Sequence, residues 1–139
     1  MSISSAPQSG SSSVGLLLIR FAVGLGCIIH GWEKIHAPFA WMGSDTPEYV
    51  QGLVTLGEFG GGIAVLLGFL TRIGAFGIAS VMVGAMVLIH IPAENPYIAS
   101  PGHASFETVI LYFSSAVLLV LAGPGAISVD EVVFHGKTG

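Results

Sequence analysis

The sequence predicts an all-α integral membrane protein, a bundle of four helices crossing the bilayer. Three observations carry this reading. Hydrophobic residues make up 53% of the 139-residue chain and charged residues only 9%, against roughly 25% charged in an ordinary soluble domain. The apolar residues fall into four stretches, and about 20 helical residues suffice to cross about 30 Å of hydrocarbon. Proline, glycine and charge collect between the stretches. A soluble domain with so few charges could not cover its surface with polar groups, so the lipid bilayer is the expected partner for most of it. The formal charge is −4 and the four Lys and Arg are scattered, which offers nothing to nucleic acid. Cys27 is the one cysteine, so neither an intrachain disulfide nor a cysteine-rich metal site can form.

Along the chain, residues 1–13 are Ser-rich and uncharged, which predicts a disordered N-terminal tail. They lack the positively charged start of a secretory signal, so the first apolar stretch is expected to stay as an anchor. The transmembrane domain is expected over residues 14–123, with spans at Val14–Ile35, Val50–Leu70, Ile73–Ile91 and Phe106–Ala122. The fourth is shortest and near the lower limit for a span. Leu70-Thr71-Arg72 is so short a link that the second and third spans must form an antiparallel hairpin. The segments His36–Tyr49 and Pro92–Ser105 hold two and three prolines respectively, which stop the helices and stiffen the loops. An even number of spans separates these loops, so both lie on one side. Gly123-Pro124-Gly125 closes the last helix, and residues 124–139 read as a short polar C-terminal tail. Arg20, Arg72 and Lys137 lie toward the termini and Lys34 toward the loops. The positive-inside rule then places both termini in the cytoplasm of a cell whose plasma membrane the chain crosses.

Twenty glycines point to close helix packing. Gly57 and Gly61 form a GxxxG spacing, and Gly24 and Gly31 share a face of the first helix with Cys27. Ionisable residues within the spans are more informative, because each must face the interior and find a partner. Arg20 lies on the small-residue face of the first helix. Glu58 lies near the middle of the second, in line with Gln51, Thr55 and Gly62 at helical spacing. A carboxylate at that depth is either protonated or paired, and Arg20 is the natural cation. The pair reads as a register-fixing contact or as the wall of a polar cavity.

A second group gathers at the outer end. His30, Glu33 and Lys34 close the first helix, His90 closes the third, Glu107 opens the fourth, and His103 lies in the adjacent loop. Bundle sites are built from side chains on facing helices, so His30, His90 and Glu107 are candidates to border a small outer cavity. Helix-borne His and Glu could hydrogen-bond the carbonyls of a quinone head, and Glu107, if protonated, could handle a proton there. Two histidines at similar depth are all that speaks for haem. The plainer expectation is that these groups meet water and lipid headgroups. P-loop, GxSxG, HExxH and CxxC motifs are absent, so any electron transfer requires a bound cofactor or a redox partner.

The first span reads LLLIRFAVGLGCIIHGWEKI, the second and third run LVTLGEFGGGIAVLLGFLTRIGA to VLIHIP, and the chain closes LLVLAGPGAISVDE. In this order the features resemble the DoxX family of bacterial and archaeal membrane proteins from Leu16 to Glu131. The matching points are Arg20, His30-Gly31 with Lys34, Glu58 followed by glycines, Leu70-Thr71-Arg72, His90, and Gly123-Pro124-Gly125 with Asp130. The resemblance implies a four-helix membrane protein. It also implies association with thiosulfate:quinone oxidoreductase and terminal-oxidase assemblies, or with a sulfurtransferase and a superoxide dismutase in oxidative-stress defence. It carries over no catalytic residues. Two functions follow as expectations. One is a redox-associated membrane subunit linked to quinone or sulfur metabolism. The other is a non-enzymatic scaffold recruiting a soluble redox partner, for which Trp41, Met42 and Tyr97 offer a loop surface. A small transporter using the Arg20–Glu58 interior is a third.

Overall fold

In residues 10–135, which the computed structural model describes, the four apolar stretches form four helices. Helix α1 spans Gly10–Trp32, and a 3₁₀ turn at Lys34–His36 follows it. Helix α2 spans Glu48–Leu67, α3 spans Thr71–His90, and α4 spans Glu107–Ala122. The first three are long and apolar enough to cross a membrane, and α4 is shorter, with 16 residues. Large apolar side chains point outward, among them Leu18, Phe21, Ile29, Leu53, Ile73, Phe76, Leu111 and Leu121, each more than half exposed. Lipid covers such a surface without cost, so the chain is an all-α membrane bundle.

The core between the helices is built from small and medium residues. Val23, Cys27, Val65, Ala75, Ile78, Ala116 and Leu119 are buried there. Glycines set the distances. A Cβ on Gly24 would lie 2.8 Å from the Gly62 carbonyl and from Leu66, and one on Gly31 would lie 2.8 Å from Phe59. On the other side of α2, a Cβ on Gly61 would meet the Gly74 carbonyl of α3 at 2.9 Å. The GxxxG spacing therefore lies on the α2–α3 crossing, where small residues let backbones approach.

The helix boundaries differ from expectation for local reasons. Helix α1 begins at Gly10, so residues 10–13 of the expected tail are helical, and the remainder of that tail lies outside the described residues. Ser13 is buried, and its hydroxyl accepts the Ala126 N–H at 3.2 Å. Helix α2 stops at Leu67 because Gly68 turns left-handed (φ 70°). Leu70 follows at φ 50°, and α3 starts at once. This is the hairpin that the short link predicts.

The segment after α4 is not a loose tail over its described part. Residues 124–130 fold back under the end of the bundle at which α1 starts, the inner end in the expected orientation. Asp130 caps α3 from sixty residues away: its carboxylate accepts the N–H of Leu70 at 2.7 Å and of Thr71 at 3.0 Å. The Asp130 N–H in turn donates to the Gly68 carbonyl at 2.8 Å. A carboxylate at a helix start satisfies otherwise orphaned N–H groups and complements the helix dipole. Ser13 and Ala126 in contact put the start of α1 and the C-terminal segment at the same end, opposite the two long loops.

Two outcomes test this arrangement. Reporter fusions at Gly139 and within the loop at Asp45 are expected to report opposite sides of the membrane. Asp130→Ala removes the cap of α3 and is expected to lower stability by about 1 kcal/mol, read as a lower unfolding midpoint in detergent.

Candidate functional site

The interior polar groups divide between the two ends of the bundle. At the inner end Arg20, 2% exposed, spends its guanidinium on backbone carbonyls. Nε donates to Val65 O at 3.0 Å and one terminal nitrogen to Leu66 O at 3.2 Å. The other donates to Pro124 O at 3.0 Å and to Ile127 O. The first two carbonyls lie in the last turn of α2, where acceptor capacity is left over; Val65 O also takes the Gly68 N–H at 3.2 Å. The last two belong to the C-terminal segment.

At the outer end Glu58, 7% exposed, sits in a π turn, Leu56–Gly60, within α2. Such turns are uncommon and recur at functional sites. The Glu58 carboxylate pairs with the Lys34 ammonium, which reaches inward from the 3₁₀ turn above α1. The expected Arg20–Glu58 pair is thus not formed. The reason is helix register. Gly31 lies against Phe59 and Gly24 against Gly62 and Leu66, which sets Glu58 level with the outer end of α1 and Arg20 level with the inner end of α2. Eleven residues of helix separate those levels, about 16 Å at 1.5 Å per residue.

The loop over the ion pair is fastened by one side chain. Gln51, 1% exposed, accepts the Met42 N–H at 2.7 Å and donates to the carbonyls of Gly43 and Thr46, both at 2.9 Å. Its backbone carbonyl accepts the Trp41 indole N–H at 3.2 Å. Every polar atom of this buried amide is matched. Trp41 is thereby held with its ring centroid 4.5 Å from the Lys34 ammonium, within cation–π range.

Below this roof runs a groove of about 720 Å³, lined by α2, α3 and the Lys34–Met42 region. That volume is typical of a small-molecule site, about 300–1,000 Å³. Its walls are apolar and finely spaced: Gly57, Gly61 and Ala64 on one side, Gly77 and Gly84 on the other. Lys34 and Glu58 are the charged groups among its described lining residues, and they neutralise one another. Small residues form its floor because α2 and α3 cross so closely.

The expected outer trio does not line this groove. His30 is exposed and meets Tyr112 edge-on at 6.2 Å. The His90 ring pairs with the Asn95 amide at 3.0 Å. Glu107 opens α4, and no ion pair joins it to either histidine among the described residues. His103 is exposed in its loop. Sequence reasoning placed Lys34 in the outer group but missed its partner, and took Gln51 for one member of a stripe. The available signal was that Gln51, Thr55 and Glu58 share a face.

The comparisons with known proteins bear on this geometry. The family model described as DoxX matches residues 15–91, which include Arg20, Lys34, Gln51, Glu58 and the whole groove. The chain is 31% identical over 127 residues to "Inner membrane protein YqjF" of Escherichia coli (strain K12), covering 86% of this chain and 92% of that one. No solved structure matches.

A double-mutant cycle separates the observed pairing from the expected one. Replacing Lys34 with Met and Glu58 with Leu, singly and together, is expected to show a coupling of about 0.5–3 kcal/mol, with the double variant recovering part of the single losses. The same cycle on Arg20 and Glu58 is expected to be additive within about 0.5 kcal/mol. Unfolding in detergent measures both.

Proposed function

The chain belongs to the DoxX family of membrane proteins, and on that premise we propose that it is a redox-associated subunit of the plasma membrane that holds an isoprenoid quinone in the α2–α3 groove. The observation that carries this reading is the groove itself. It is a long apolar channel between two membrane helices, and it ends under a fixed roof at one buried ion pair. Its chemistry selects among amphiphiles. A free phosphate or carboxylate head wants unpaired cations, and the Lys34 charge is already matched by Glu58. A neutral head with oxygen atoms on a flat ring suits the site better. The ring can lie against Trp41 and glycine backbone, an oxygen can accept from Lys34, and an isoprenoid tail can run down the glycine-lined wall.

Two of the three loop residues that would serve a docking scaffold, Trp41 and Met42, line this groove instead. In the proposed orientation the termini are cytoplasmic and the ion pair lies toward the outer leaflet, so a Gly139 reporter is expected inside. The name of the Escherichia coli relative, an inner membrane protein, supports that location.

The experiment is extracted-lipid analysis of the purified chain beside a Gly84→Phe variant. Gly84 lines the groove and a Cβ there meets nothing within 4 Å, so a side chain can start from this position and take up groove volume. Wild-type protein is expected to carry quinone, and the variant about tenfold less, a loss of about 1.4 kcal/mol in binding. Equal quinone in both, or none in either, would move the assignment to a scaffold that recruits a soluble redox partner.

A further inference from the structure

The mouth of the groove places a donor and an acceptor side by side. The Lys34 ammonium has three N–H groups and no acceptor. One of them bonds Glu58 Oε2, and the Trp41 ring lies on another side. The remaining donor capacity is available to a ligand oxygen. Glu58 is a full acceptor, and only its Oε2 is engaged; Oε1 has no hydrogen-bond partner among the described residues. Both side chains line the groove. A carboxylate that is 7% exposed, carries an unused oxygen and faces a ligand site asks for a hydroxyl, because charged groups out of water gain most from a matched partner.

This asymmetry discriminates between the two stable forms of a quinone. A quinone carbonyl only accepts. It can take a hydrogen from Lys34, but against Glu58 it sets one acceptor facing another. A quinol hydroxyl accepts and donates at once, so its oxygen can take the Lys34 N–H while its own O–H goes to Glu58 Oε1. We propose that the Lys34–Glu58 pair makes the groove selective for the hydroxylated, reduced head, a quinol in preference to a quinone. This rests on the reading of the groove as a quinone site and adds which form it prefers. The Gln51-held roof keeps the pair and Trp41 in fixed relation, so the selectivity is built into the resting structure. Tighter binding of the reduced form raises the midpoint potential of the bound couple. For a two-electron couple a tenfold preference is about 30 mV, in the direction that helps the bound quinone accept electrons.

The test uses the full chain in lipid nanodiscs under argon, titrated calorimetrically with decylubiquinone, with decylubiquinol, and with the dimethyl ether of decylubiquinol. The quinol is expected to bind about tenfold more tightly than the quinone, the scale of one hydrogen bond to a charged group. The dimethyl ether keeps the ring oxygens but has no O–H, and it is expected to bind no more tightly than the quinone. In Glu58→Gln, where an amide offers a donor as well as an acceptor, the quinol preference is expected to fall below about threefold. If Glu58→Gln does not fold, the three titrations of the wild-type chain decide alone. Quinone binding as tightly as quinol, or the ether as tightly as the quinol, with both lost in Gly84→Phe, would overturn the selectivity and leave the groove reading standing. No saturable binding of any form, or binding unchanged in Gly84→Phe, would overturn the groove reading and the selectivity with it.

Discussion

A guanidinium inside a membrane bundle must be given acceptors, and the acceptors available in an apolar interior are backbone carbonyls with spare lone pairs, at helix ends and in irregular segments. Arg20 collects four of them, two from the last turn of α2 and two from the segment after α4. No carboxylate is needed, and the charge is spread over four dipoles. The consequence reaches beyond the residue itself. α1, the end of α2 and the C-terminal segment are tied at a single point, and once that segment is fixed Asp130 stands at the start of α3. The tight left-handed turn at Gly68 belongs to the same construction. A side chain there would be strained by its φ of 70° and would run into Ser128 at 2.7 Å. The inner end of the bundle is therefore closed by hydrogen bonds to charged groups, the strongest ordinary kind.

With the inner end closed this way, Glu58 is left to the outer end. Burying an ion pair is a poor way to stabilise a bundle, since desolvation offsets much of the attraction. An apolar pair at Lys34 and Glu58 would hold α1 against α2 at least as well. The outer end instead keeps a charged pair beside an open groove, in a π turn, under a tryptophan fixed by a fully satisfied glutamine. The inner charge organises backbone, whereas the outer pair faces unfilled space. That contrast is what favours a structural role for the Arg20 end and the proposed ligand site at the other.

Much of the fold was legible because lipid imposes a simple rule: each spanning segment must be apolar and long. The four stretches, the proline-stopped loops and the three-residue hairpin link all follow from it. What was not legible is what depends on register. From spacing alone Arg20 starts nearer the opposite membrane face from Glu58, and only the reach of its long side chain makes the pair conceivable. The seating of Gly24 on Gly62 and of Gly31 on Phe59 puts the pair beyond that reach, and such contacts leave no periodic mark in one sequence. How the short polar C-terminal tail is held was not legible for a related reason. Its polar residues look like a solvated tail until Arg20 is seen to need the carbonyls of Pro124 and Ile127. His30, His90 and Glu107 do share the outer end of the bundle, but an α-helix at a given depth has a whole circumference, and these three occupy different parts of it.

The groove and the glycines are two aspects of one packing choice. Gly57 and Gly61 let α2 press on α3 at Gly74 and Gly77, and helices that close at one line of contact diverge on either side of it. On the side toward α1 and α4 the gap is filled by Val65, Ile78 and Leu119, all fully buried. On the other side the same small residues leave a trough that no side chain of the described residues fills. A Cβ on Gly84 meets nothing within 4 Å, whereas Gly77 lies on the crossing itself, against Gly57. At Gly84 the open space is not required by the helix crossing, while at Gly57, Gly61 and Gly77 it follows from it. Spare volume at Gly84 thus lies along the same groove as the Lys34–Glu58 pair, and this coincidence of room with hydrogen-bonding capacity is what supports the proposed ligand site.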